Sequence, residues 1–85
     1  MKKILFEDEA LKNYFEWEKV DKKVFIRINK LLDDTRRNPF KGTGQPEPLK
    51  HQLKGFWSRR ITWEHRLVYK VTDDAIIVVS CKFHY

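Results

Sequence analysis

The 85-residue chain is short of cysteine, proline and glycine, and each shortage excludes something. Its one cysteine, Cys81, has no partner for an internal disulfide. Set in the run Ile76-Ile77-Val78-Val79-Ser80-Cys81, the thiol reads as a small core residue with no chemistry of its own. No apolar stretch approaches the roughly 20 residues a helix needs to cross a bilayer, and no secretory leader is visible, so a cytoplasmic address without a membrane partner is expected. The histidines His51, His65 and His84 show neither Cys-x-x-Cys companions nor a pair one helical turn apart, so no metal or other cofactor is expected. Pro39, Gly42, Gly44, Pro46 and Pro48 hold all the prolines and most of the glycines. They mark Asn38–Pro48 as a loop and leave the rest of the chain free for regular structure.

What is present suffices for one core. Hydrophobic residues make up 41% and charged residues 35%, the latter spread along the chain, which predicts a single folded domain over residues 1–85. The net charge of +6 is concentrated: Lys41, Lys50, Lys54, Arg59, Arg60, Arg66 and Lys70 face only Glu47 and Glu64 over the same stretch, and the remainder nearly balances. Such a local excess suits a surface that meets a polyanion, or else a merely solvated face.

Residues 2–6 read as an opening strand. Glu7 or Asp8 can cap a helix carrying Leu11, Tyr14 and Phe15, and Asp21 can cap a second, with Val24, Phe25, Ile28, Leu31 and Leu32 in a stripe that continues to about Thr35. Arg36 and Arg37 suit the end of that helix, and Pro39 prevents its continuation. Strands are predicted over residues 49–53, 56–62, 65–72 and 75–83, with turns at Lys54-Gly55, Trp63-Glu64 and Asp73-Asp74. The expected fold is α+β, an N-terminal strand and two-helix hairpin packed on one face of an antiparallel sheet, with the opening strand hard to place.

Alternation assigns faces. Leu67, Tyr69 and Val71 point one way and Arg66, Val68 and Lys70 the other, toward the uncovered side; in the last strand Ser80, Lys82 and His84 share a side. A two-residue turn at Asp73-Asp74 would put Arg66 across from Cys81, on the wrong face for His84. An odd-length turn or a bulge is therefore expected to shift the register by one residue.

Metal-free cleavage of RNA needs a base for the 2′-hydroxyl, an acid for the leaving 5′-oxygen and cations around phosphorus. Candidates exist for every role: Glu47, the three histidines, and Lys50, Arg59, Arg60 and Arg66. The aromatics interleaved with these cations divide between packing, assigned to Phe56 and Phe83, and base stacking, left open for Trp57 and Tyr85. No Ser-His-Asp motif is present, and no helix concentrates base-reading side chains as a DNA-binding regulator would.

The segments running from Asp34 to Phe40, from Gly42 to His51, from Gly55 to Ile61 and from His65 to Tyr69, with the terminal His84-Tyr85, resemble in order the RelE/YoeB superfamily of ribosome-dependent messenger-RNA interferases. The resemblance covers essentially the whole chain. It implies a RelE-like fold and a toxin–antitoxin system, with Glu47 as general base, His84 as general acid and Arg66 stabilising the pentavalent phosphorane. Tyr85 would align the substrate, while Lys50 and Arg60 would bind phosphate; His51 and Arg59 fit the pattern without a firm role. Products would be a 2′,3′-cyclic phosphate and a 5′-hydroxyl. Implied partners are messenger RNA in the ribosomal A site, a YefM-type antitoxin and a second copy of the chain. Trp63 departs from the family by standing where a polar residue is expected, and His65 is expected to be structural or marginal to the site. The alternative function is a ribosome- or RNA-binding inhibitor that blocks translation without cutting.

Overall fold

The computed structural model describes residues 1–83. Asp21 divides the helical part: it ends α1 (Asp8–Val20) and begins α2 (Lys22–Arg37), its carboxylate accepting from the Lys23 and Val24 N–H groups at 3.1 and 3.3 Å. That is the N-cap expected of it, whereas Glu7 occupies the start of α1 without a side-chain cap. α1 buries Ala10, Asn13 and Trp17, and α2 buries Val24, Ile28, Leu31, Leu32 and Thr35, positions that recur every three or four residues and so line one stripe. Thr35 is interior despite its hydroxyl because the hydroxyl donates to the Leu31 carbonyl at 2.6 Å.

These helices cover one face of a five-stranded sheet ordered β1-β5-β4-β3-β2, where β1 is Lys3–Phe6, β2 Glu47–Pro48, β3 Phe56–Arg60, β4 Arg66–Val71 and β5 Ala75–Ser80. The α+β architecture is as expected, but the sheet is mixed, because β1 lies parallel to β5 while the other pairs are antiparallel. A long connection through two helices and three strands separates β1 from β5, so nothing constrains them to the antiparallel sense of a hairpin. The predicted strand over 49–53 is absent: pairing starts two residues earlier, at Glu47–Pro48, and His51–Leu53 form a single 3-10 turn entered through a positive φ of 59° at His51. Pro48, without an N–H, is tolerated because β2 is an edge strand.

The anticipated irregularity is a bulge. Val71, Lys70 and Tyr69 oppose Ile76, Ile77 and Val78, after which Val68 opposes Ser80, so Val79 is the extra residue. The hairpin turn at Asp73-Asp74 is itself tight, closed by Thr72 N–H to the Ala75 carbonyl at 2.9 Å. One residue of shift leaves Cys81 facing the helices, fully buried, with burial pushing its thiol up to about 12.

β3 splits its side chains between the two faces. Phe56, Ser58 and Arg60 look away from the helices, while Trp57 and Arg59 look toward them, in register with Tyr69 and Leu67 of the core. This corrects two expectations for the RNA surface. Trp57 packs against the core with its ring 4.8 Å from that of Phe40, on the face opposite Arg66, which removes it from base stacking there. Arg59 is fully buried, and all five of its N–H donors are used: Nε on the Tyr69 hydroxyl (3.2 Å), Nη1 on Asp34 Oδ2 (2.7 Å) and the Thr43 carbonyl (3.1 Å), Nη2 on the Asn38 and Lys41 carbonyls. No donor is left for a phosphate. Arg59 instead gathers the loop between α2 and β2, and Arg60 N–H fastens the same loop through the Gly44 carbonyl at 2.7 Å.

Asp34 shares in that arrangement. Its carboxyl is held below the ordinary 3.8, first by the Thr43 N–H and then by the Arg59 guanidinium. With the folded-state value depressed, the stabilisation is fully present above the ordinary value and is lost as pH falls from there through the lower one. Urea midpoints recorded from about pH 6 down to about pH 2.5 should therefore drop steeply below pH ~4 in the wild type, while Asp34→Asn should start lower and fall less steeply. Parallel curves would show that this carboxylate does not carry the acid sensitivity.

Candidate active site

On the uncovered face, β2, β3 and β4 bring a carboxylate and several cations together. Glu47 pairs with Ser58 across β2 and β3, Ser58 with Val68, and Arg60 with Arg66, so Glu47, Ser58, Arg60 and Arg66 share one side of the sheet. Arg66 Nη1 donates to Glu47 Oε1 at 2.8 Å and lies 3.5 Å from Ser58 Oγ. The guanidinium is the more enclosed partner, its side chain 22% exposed against 56% for Glu47. A half-sunk cation beside an open carboxylate leaves the carboxylate accessible to a proton donor from solvent or ligand.

The prolines place the carboxylate. Pro46 and Pro48 flank Glu47 with fixed φ, and the loop before them is tied down at Gly44 and Thr43 through Arg60 and Arg59. Gly44 is required there, since at φ 85° any Cβ would lie 2.9 Å from Leu31 Cδ2 and 3.2 Å from the Arg60 carbonyl. The exposed Lys50 and His51 follow β2 directly, and Arg60 adds an exposed cation directly across from Arg66. Lys70 lies further along the same face with its ammonium 6.0 Å from the Phe56 ring centroid. Ser58, which the sequence reading passed over, is fully buried beneath the Glu47–Arg66 pair; its place between Phe56 and Arg60 in an alternating strand was the available signal.

Of the site residues expected from the sequence, Glu47, Arg60 and Arg66 are brought together on one face, while Lys50 and His51 are exposed just beyond the end of β2. His84 and Tyr85 lie outside the described residues, but the segment leading to them is held firmly. Trp17 Nε1 donates to the Cys81 carbonyl at 2.8 Å, Asn13 Oδ1 accepts from Cys81 N–H at 3.4 Å, and Phe83 uses both backbone groups, its N–H on His65 Nδ1 (2.8 Å) and its carbonyl on Arg66 N–H (2.9 Å). His65 is buried, with the edge of the Trp17 ring 4.8 Å away centroid to centroid. Trp63, by contrast, projects from the β3–β4 turn at 91% exposure. Among the described residues no helix is long and apolar enough to cross a membrane.

Known proteins share this fold and much of this sequence. A family model described as a YoeB-like toxin of bacterial type II toxin-antitoxin systems matches residues 6–85. Toxin YoeB of Escherichia coli K12 is 54% identical over 83 residues, covering 98% of this chain and 99% of its own. Among solved structures, the YoeB dimer from Staphylococcus aureus superposes with a TM-score of 0.92 at 46% identity, covering 99% of this chain and 98% of that one. The toxin in the YoeB–YefM complex from Staphylococcus aureus superposes at 0.91 with 44% identity, covering 100% and 99%. With a model match from β1 to the C-terminus, a relative more than half identical over nearly its full length, and the same fold in solved relatives, the chain belongs to the YoeB-like toxins of bacterial type II toxin-antitoxin systems.

Proposed function

We propose that this toxin is a metal-free endoribonuclease that cuts messenger RNA in the ribosomal A site, with Glu47, Arg66 and His84 around the scissile phosphate. The observation that carries the reading is the Glu47–Arg66 pair, a carboxylate and a guanidinium 2.8 Å apart on an open, basic sheet face. A phosphodiester entering this face would replace the carboxylate on Arg66, leaving Glu47 beside the adjoining ribose.

Glu47 takes the proton of the 2′-hydroxyl as O2′ bonds to phosphorus. Arg66 balances the charge that builds on the phosphorane oxygens. The P–O5′ bond then breaks as His84 gives its proton to O5′, which leaves a 2′,3′-cyclic phosphate and a 5′-hydroxyl. Base and acid must stand on opposite sides of phosphorus for this in-line displacement. Tyr85 aligns the substrate, while Lys50 and Arg60 hold neighbouring phosphates, with His51 beside them. Contacts from the remaining exposed cations to ribosomal RNA give association a steep dependence on salt. The relatives from Staphylococcus aureus, one dimeric and one bound to YefM, support a homodimer and a YefM-type antitoxin as partners here. Ribosomes and messenger RNA put the site of action in the cytoplasm.

RNA-end mapping on programmed ribosomes tests the reading. Wild-type protein should generate new 5′-hydroxyl ends that depend on ribosomes, and Glu47→Gln and His84→Gln should each slow cutting by ~100-fold or more without loss of melting temperature. Blocked decoding with intact messenger RNA would establish a non-cutting inhibitor instead. Arg66→Ala should lower the single-turnover rate by ~100-fold or more at saturation and shift ribosome association far less at the same salt; equal losses in both would make Arg66 a docking residue.

A further inference from the structure

His65 carries no role in the reaction proposed above, yet it is buried and makes a short hydrogen bond with its Nδ1 as acceptor. An accepting Nδ1 uses its ring lone pair, which leaves Nε2 as the ring position able to donate. The donor is the Phe83 N–H at 2.8 Å, and Phe83 immediately precedes His84 in the chain. Phe83 has a φ of 59°, a left-handed conformation that is unfavourable for an aromatic residue and persists only where its surroundings impose it. Here they do, through His65 on the N–H side and Arg66 N–H on the carbonyl side.

We infer that His65 is a positioning residue for the C-terminal general acid: by holding the Phe83 N–H it fixes the backbone of the residue that precedes His84 in the chain. The inference rests on the ribonuclease reading. Phe83 immediately precedes His84 in the chain, so the dihedrals of Phe83 set the direction in which the chain continues. Adjacent residues thereby serve both halves of the reaction. Arg66 touches Glu47 with its side chain and Phe83 with its main chain, while His65 completes the grip on Phe83. The ring cannot rotate freely, since Trp17 abuts it and is itself bonded to the Cys81 carbonyl.

The test uses full-length toxin in single-turnover cleavage on programmed ribosomes. His65→Leu removes the acceptor; His65→Asn restores one near the Nδ1 position. His65→Leu should cut ~10-fold or more slowly at saturation with a half-saturating concentration within about threefold of wild type, and His65→Asn should recover most of the rate. Because His65 acts through His84, the double variant His65→Leu/His84→Gln should be no slower than His84→Gln alone, whereas a general structural defect would multiply the losses. If His65→Leu melts below the assay temperature, the comparison is made between His65→Asn and His65→Gln, whose acceptor sits one bond further out; a rate difference of about tenfold supports the inference and equality overturns it. Wild-type cutting with full activity in His65→Leu, or multiplying losses in the double variant, refutes the positioning role alone. A wild-type protein that cuts nothing refutes the ribonuclease reading and this inference with it.

Discussion

A single buried guanidinium organises the half of the molecule that bears the site. Removing a cation from water costs several kcal/mol unless its donors are all met, and Arg59 meets that condition only if the chain after α2 brings three carbonyls to it beside the Asp34 carboxylate of α2. A loop bent that sharply needs turn residues, which explains why the scarce prolines and glycines gather between Asn38 and Pro48. Gly42 and Gly44 adopt φ values of 120° and 85°, and a Cβ on Gly42 would meet Asp34 Oδ2 at 2.2 Å. The loop emerges from this wrapping directly into Glu47. The interior charge thus fixes where the surface carboxylate stands.

The two ion pairs differ in kind. Arg59–Asp34 is enclosed on the arginine side and structural, and breaking it would strand a buried charge. Glu47–Arg66 is open to solvent on the carboxylate side, so it contributes at most about 1 kcal/mol to stability. Its consequence is geometric: it holds the two groups within one hydrogen bond of each other on the open face.

Local signals carried much of this. Helical periodicity and the Asp21 cap located both helices, and strand alternation put Arg66 outside. The register conflict between Arg66 and the last strand required the bulge that Val79 supplies. What escaped were non-local choices. The parallel docking of β1 on β5 depends on a partner strand some seventy residues away, which no local pattern records. Arg59 was counted with the basic surface because residue type outweighed position. The alternation that exposed Arg66 places Arg59 beside Leu67, inside, and the Asp34 that neutralises it stands a full loop earlier in sequence. The edge strand began at Glu47 because Pro46 and Pro48 favour extended backbone, a preference obscured when the prolines were read only as breakers.

Every tie that shapes the site spans distant sequence. Glu47 and Arg66 are 19 residues apart, His65 and Phe83 18, and Trp17 and Cys81 64. Glu47–Arg66 and Trp17–Cys81 cannot form within an isolated helix or hairpin, whereas His65–Phe83 closes the open end of the β4–β5 hairpin. The carboxylate belongs to the edge strand, the guanidinium to the centre of the sheet, and Cys81 beyond β5 is bonded to α1 through Trp17 and Asn13. A partly folded chain could hold its helices, whose hydrogen bonds are local, and still lack the constellation entirely. The Glu47–Arg66 pair is accordingly a property of the completed sheet, since an edge strand and the central strand must both be in place before the two groups can meet.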